Sequence, residues 1–124
     1  MLKCITLILF SSLCYAQHEK IIEKAIYPKV AHAIYVHESN RGKSVLARKH
    51  NNVYGFKGGT RKIGKTSGKY SIYRKKEDSV LDYLDYERKL VEKYDLRTRD
   101  EYLYFLSRRY ASDKKWINKI RKNI

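Results

Sequence analysis

The stretch from Val30 to Lys57 constrains this chain more than any other. It reads as a short apolar helix that ends in one carboxylate, Glu38, followed at once by a polar turn, Ser39-Asn40-Arg41-Gly42. A second short helix, about Lys43 to Lys49, leads into Asn51-Asn52-Val53-Tyr54-Gly55-Phe56-Lys57. Val30, Ile34 and Glu38 are spaced by four, so they share one helix face. That face is apolar up to its last member. A carboxyl group at the end of a buried face is a candidate general acid. The same spacing also suits a Glu that frays into solvent at a helix C-terminus, and periodicity alone leaves both readings open.

The wording of the stretch adds to the spacing. Glu38-Ser39, then Gly42, a small helix, and Asn51-Asn52-x-Tyr54-Gly55-x-Lys57 form one block. Tyr110-Ala111-Ser112-Asp113 forms a second, near the C-terminus. In this order the two blocks resemble the glucosaminidase domain of bacterial peptidoglycan hydrolases, a family that includes flagellar muramidase-type domains and many autolysins. The resemblance covers about residues 25 to 124. It implies a lysozyme-like fold, a glycan-strand substrate, Glu38 as the acid, and Tyr110 as a second residue at the reacting sugar. The activity implied is that of an endo-β-N-acetylglucosaminidase.

The first sixteen residues read as a secretory signal peptide. Lys3 supplies the positive start, Cys4 to Leu13 the apolar run, and Cys14-Tyr15-Ala16 a cleavage site before Gln17. The run is too short for a comfortable membrane span, so no stable span is expected after its removal. Both cysteines, Cys4 and Cys14, lie inside it, which leaves residues 17–124 as one domain without a disulfide framework. That domain is expected to be secreted, periplasmic or held in the cell envelope, and monomeric.

Charge narrows the partners. The chain carries 28 Lys and Arg against 13 Asp and Glu, a net +15, or +14 without Lys3. Such a surface favours a polyanion. Nucleic acid is one candidate, but no nucleic-acid motif is present and export argues against it. Peptidoglycan strands and the anionic polymers of a cell wall fit export better.

The rest of the chain reads as helices around one polar insertion. Ile21, Ile22, Ala25 and Ile26 stand at helical spacing, and Pro28 suits the first turn of the Glu38 helix. From Gly58 to Lys76, glycines punctuate short β-branched or aromatic segments, which predicts an antiparallel hairpin or three-stranded lobe. With eight Lys and Arg from Lys57 to Lys76, this would be a basic, mobile flap over a groove. Helix resumes near Glu77, with an apolar stripe of Val80, Leu81, Leu84, Val91 and Tyr94. Thr98-Arg99-Asp100-Glu101 predicts a capping box and a helix from Arg99, with Tyr102, Leu103, Phe105 and Leu106 inward. Ser112 is placed to cap a last helix that buries Trp116, Ile117 and Ile120. The fold class expected is α+β, mainly α, with one small β-hairpin flap.

Glycoside hydrolysis usually takes two carboxylates flanking the bond. No Asp or Glu lies between Ser39 and Lys76, so the flap cannot supply the second. Glu77 and Asp78 are the nearest candidates, although both also suit a helix N-terminus electrostatically. One acid suffices if the substrate's own N-acetyl group attacks the anomeric carbon. It also suffices if the sugar's 6-hydroxyl attacks, as in lytic transglycosylases; a muramidase on the same fold is a further alternative. Tyr54 and Tyr73 are candidate sugar-facing rings, and Ser39 and Asn52 candidate polar contacts to substrate, though each also suits packing or a turn. No cofactor is expected: His32 and His37 are five apart, off one helix face, and lack a nearby third metal ligand. The rival class is a non-catalytic basic module that binds wall polymer or nucleic acid.

Overall fold

The computed structural model describes residues 17–109 and 115–124. The expected signal segment, 1–16, and the Tyr110-Ala111-Ser112-Asp113 block lie outside the described residues. Five helices carry the fold: α1 (Pro28–Ser39), α2 (Val45–His50), α3 (Lys76–Tyr94), α4 (Arg99–Arg109) and α5 (Trp116–Arg121). Residues 17–22 are also helical. Between α2 and α3 two short strands, β1 (Gly64–Lys65) and β2 (Ser71–Ile72), pair antiparallel with Gly64 opposite Ile72. The α+β, mainly helical class read from the sequence is the class found. Among the described residues no helix is long and apolar enough to cross a membrane.

α1 is the central element. Val30, Ala31, Ala33, Ile34 and Tyr35 are all buried, so apolar residues surround most of its circumference. It packs on α5, which also packs on α4. Pro28 occupies the first turn, where its missing N–H leaves no bond unmade. The N-cap residue, Tyr27, has no capping side chain of its own. The backbone N–H groups of Ile26 and Tyr27 instead donate to the Glu87 carboxylate of α3, at 2.6 and 3.2 Å. A remote carboxylate thus satisfies two donors just ahead of the helix.

This explains a difference from the predicted stripe on α3. Its buried face is Ser79, Val80, Asp82, Tyr83, Glu87 and Leu90, while Leu81 and Leu84 are half-buried and Tyr94 is exposed. Two acids sit in that face because each meets donors from another part of the chain: Glu87 those ahead of α1, Asp82 those of the flap. A hydrophobicity pattern scores such residues as outward.

The capping box forms in a shifted version. The Thr98 hydroxyl accepts from the Glu101 N–H at 3.1 Å, but the Glu101 carboxylate reaches one residue further back, to the Arg97 N–H. Tyr102, Leu103 and Leu106 are buried as expected; Phe105 is half-buried, against Tyr94 and Arg109.

Burial pushes the Glu87 carboxyl above its ordinary value, and the two backbone N–H donors only partly oppose this. A carboxyl raised in the folded state stabilises fully below its unfolded pKa, and that stability is lost as pH rises through the folded value. We expect the unfolding free energy of wild type, minus that of Glu87→Gln, to fall as pH rises above about 4, the ordinary carboxyl range. Denaturant melts at a series of pH values check it. A difference that stays flat or rises would show that the folded protein does not hold this proton more tightly.

Candidate active site

Glu38 stands in the last turn of α1, half-buried. The helix stops one residue later, where Asn40, Arg41 and Gly42 all take positive φ. Ser39 holds this stop. Its hydroxyl donates to the Tyr35 carbonyl at 2.5 Å and accepts from the Gly42 N–H at 2.9 Å. The chain turns directly into α2, which Ser44 caps by accepting from the Ala47 N–H. The carboxylate is thereby presented at the rim of the helical body.

The groove it faces has a volume of about 810 Å³ and is lined by Glu38, Val45, Leu46, His50, Gly55, Lys57, Thr66 and Tyr70. One wall is α2 and the other is the flap. On the flap side the Lys57 ammonium sits over the Tyr70 ring, 5.2 Å from its centre. Glu38 is the one carboxylate among the described residues of this lining. Glu77 is turned elsewhere, to the buried His18 at 3.5 Å.

Two residues flank the carboxylate. The Trp116 indole N–H of α5 donates to Glu38 Oε1 at 3.4 Å. On the other side lies Gly55, at φ +70, where an added Cβ would stand 3.4 Å from Oε2, an ordinary contact distance. Its left-handed backbone suits glycine here.

The four side chains expected to meet substrate are all buried, and each is bonded or stacked within the fold. Ser39 is fully buried in the turn just described. Asn52 donates to the Phe56 and Ser71 carbonyls and accepts from the Phe56 N–H, which fastens the 52–56 loop to β2. Tyr54 is stacked on Tyr83, centroids 4.2 Å apart and planes 8° from parallel, and its hydroxyl donates to the Ala31 carbonyl. Tyr73 is buried, its hydroxyl near the Gly58 carbonyl and Asp82. The half-buried flap ring that lines the groove is Tyr70. Strand alternation carried this signal: in Tyr70-Ser71-Ile72-Tyr73, residues 71 and 73 face inward and 70 and 72 share the other face.

The flap is pinned at its base. The buried Asp82 carboxylate accepts from the Thr60 hydroxyl, the Arg61 N–H and the Arg61 guanidinium, and Asp85 takes the same guanidinium at 2.6 Å. Arg61 holds the Asp85 carboxyl below the usual carboxylate range. At Gly59, φ +101, a Cβ would overlap the Asp82 carboxylate. A second hollow of about 350 Å³ lies here, lined by residues 55–60 with Asp82, Asp85, Tyr86 and Lys89. Its acids are engaged with Arg61. Asp82 and Arg61 were not singled out from the sequence, and Trp116 was read there only as a core residue of the last helix.

The family model described as mannosyl-glycoprotein endo-beta-N-acetylglucosaminidase, the glucosaminidase family, matches residues 15–124. The chain belongs to the glucosaminidase family. The glucosaminidase fold here is also that of a solved structure, the catalytic domain of the autolysin Auto from Listeria monocytogenes. The two are 21% identical with a TM-score of 0.60, over 94% of this chain and 81% of that one. No curated protein matches the chain. The domain is accordingly of glycosidase type, as the two motif blocks implied.

Two substitutions test this geometry. Gly55→Ala should cost about 1–2 kcal/mol of unfolding free energy, because an L side chain at φ +70 is strained, and thermal melts check it. Asp82→Asn should cost about 1.5–3 kcal/mol by weakening charge-assisted bonds to the flap. It should also expose residues 57–70 to limited proteolysis before the helices are cut. An unchanged cleavage pattern would place the flap's anchorage elsewhere.

Proposed function

We propose that the protein is an exported peptidoglycan hydrolase that cuts glycan strands after N-acetylglucosamine, with Glu38 as the general acid. The observation that carries this reading is the family match joined to the groove. The match spans residues 15–124, and Glu38 is the one carboxylate among the described residues lining the groove. Glu38 protonates the leaving glycosidic oxygen and takes a proton back in the second step. The family's name refers to a glycoprotein glycan; the autolysin fold and the net charge of +15 favour wall glycan here. Lys57 and the flap lysines attract the anionic polymer, and the Tyr70 ring offers an apolar face to a pyranose.

With Glu38 as the groove's one described carboxylate, the N-acetyl group of the substrate serves as internal nucleophile, the substrate-assisted route. Tyr110, assigned by the motif it shares with the family, orients that group or stabilises positive charge at the anomeric carbon. Attack by a 6-hydroxyl is the second reading, and the same lack of a partner carboxylate favours it over a muramidase that activates water. Residues 1–16 act as the export signal, cut before Gln17. The enzyme works without a cofactor, as a monomer outside the cytoplasm.

Glu38→Gln keeps the shape and removes the proton. It should lower lysis of purified walls by at least about 100-fold, and near-wild-type lysis would remove Glu38 from the chemistry. Tyr110→Phe should reduce turnover more than affinity. Retention on insoluble peptidoglycan should weaken steeply as salt rises, since exposed charges are screened over about 8–10 Å at physiological ionic strength. Salt-independent retention would mean that shape and stacking hold the strand.

A further inference from the structure

We infer that Trp116 is a positioning residue that divides the labour between the two oxygens of Glu38. Its N–H holds Oε1, so that Oε2 is the oxygen that delivers the proton. This rests on the reading of Glu38 as the acid.

An indole can take part in a hydrogen bond in one way. Its Nε1–H is a donor only. It lies 3.4 Å from Oε1. In a protonated carboxyl group the hydroxyl oxygen is the poorer acceptor, so an N–H held at Oε1 leaves the acidic proton on Oε2. Oε2 is the oxygen on the Gly55 side, and Gly55 lines the groove. The proton therefore resides on the oxygen beside the substrate space. Rotation about the last side-chain bond would exchange the two oxygens, and the indole contact opposes that exchange.

The donor is itself held rigidly. Trp116 is 4% exposed and opens α5, which packs on both α1 and α4. The acid and its positioning residue are separated by 78 positions in the chain, so only the docking of α5 on α1 brings them together. A side chain this buried tolerates truncation poorly, and its loss would confound packing with proton placement.

The test therefore uses an isostere. Benzothienylalanine at position 116 replaces the N–H by sulfur and keeps the bicyclic shape; Trp116→Phe is the coarser variant. Both are measured on soluble glycan strands, each alone and combined with Glu38→Gln. In the otherwise wild-type enzyme, the isostere should lower kcat about tenfold with KM and thermal midpoint unchanged. In the Glu38→Gln background it should lower the residual rate less than about twofold, because no proton remains to be placed. Equal losses in both backgrounds would make Trp116 a packing residue. No loss in either would overturn the inference as well. Full activity of Glu38→Gln by itself would instead overturn the assignment of the acid, an outcome distinct from either.

Discussion

The hydroxyl of Ser39 closes the last turn of the helix that carries Glu38, and the site depends on that closure. It accepts from the Gly42 N–H while donating to the Tyr35 carbonyl, so the chain must leave the helix through three successive positive-φ residues. The result is a carboxylate at the end of a buried helix rather than along its side. Val30, Ile34 and Tyr35 anchor the helix in the core, and Glu38 inherits their rigidity. A site borne on a packed helix end holds its geometry better than one on a free loop.

Acids of α3 then organise what surrounds that carboxylate. Glu87 satisfies the donors ahead of α1, and Asp82 gathers the start of the flap. Each is buried yet hydrogen-bonded, which is the condition under which a protein tolerates an enclosed carboxylate. The flap is built from basic and polar residues with two-residue strands, too little for a sheet to stand alone. Its shape comes from its attachments: Arg61 to Asp82 and Asp85, Asn52 to β2, and Asn51 to the Tyr73 and Arg74 carbonyls. The positive charge of the flap and the acid on the opposite wall are thus held in register by bonds made outside the groove.

Much of this was legible in the sequence because it is local. The Glu38 turn, the Thr98 box and the apolar face of α4 follow from spacing within a few residues. The parts that were not legible are long-range. Glu87 and Asp82 carry no signal in the sequence, because their partners lie tens of positions away. Trp116 read as a core residue of the last helix, which it is, but its N–H meets Glu38 only after α5 docks. Tyr54 and Tyr73 were expected at substrate because an aromatic ring is equally suited to a sugar and to a core. In the fold Tyr73 is buried beyond β2 and Tyr54 stacks on Tyr83. The mobile flap expected from its composition is instead tied to α3 at its base.

The central claim is chemical: Glu38 acts on a bond whose own N-acetyl group supplies the nucleophile. The product records whether that is so. Mass spectrometry of the fragments released from purified peptidoglycan, before and after borohydride reduction, reads the new end directly. The account predicts reducible N-acetylglucosamine ends. Dominant 1,6-anhydro-muramyl ends, lighter by one water and not reducible, would contradict it in favour of the intramolecular route. Reducible muramic ends would contradict it in favour of a muramidase.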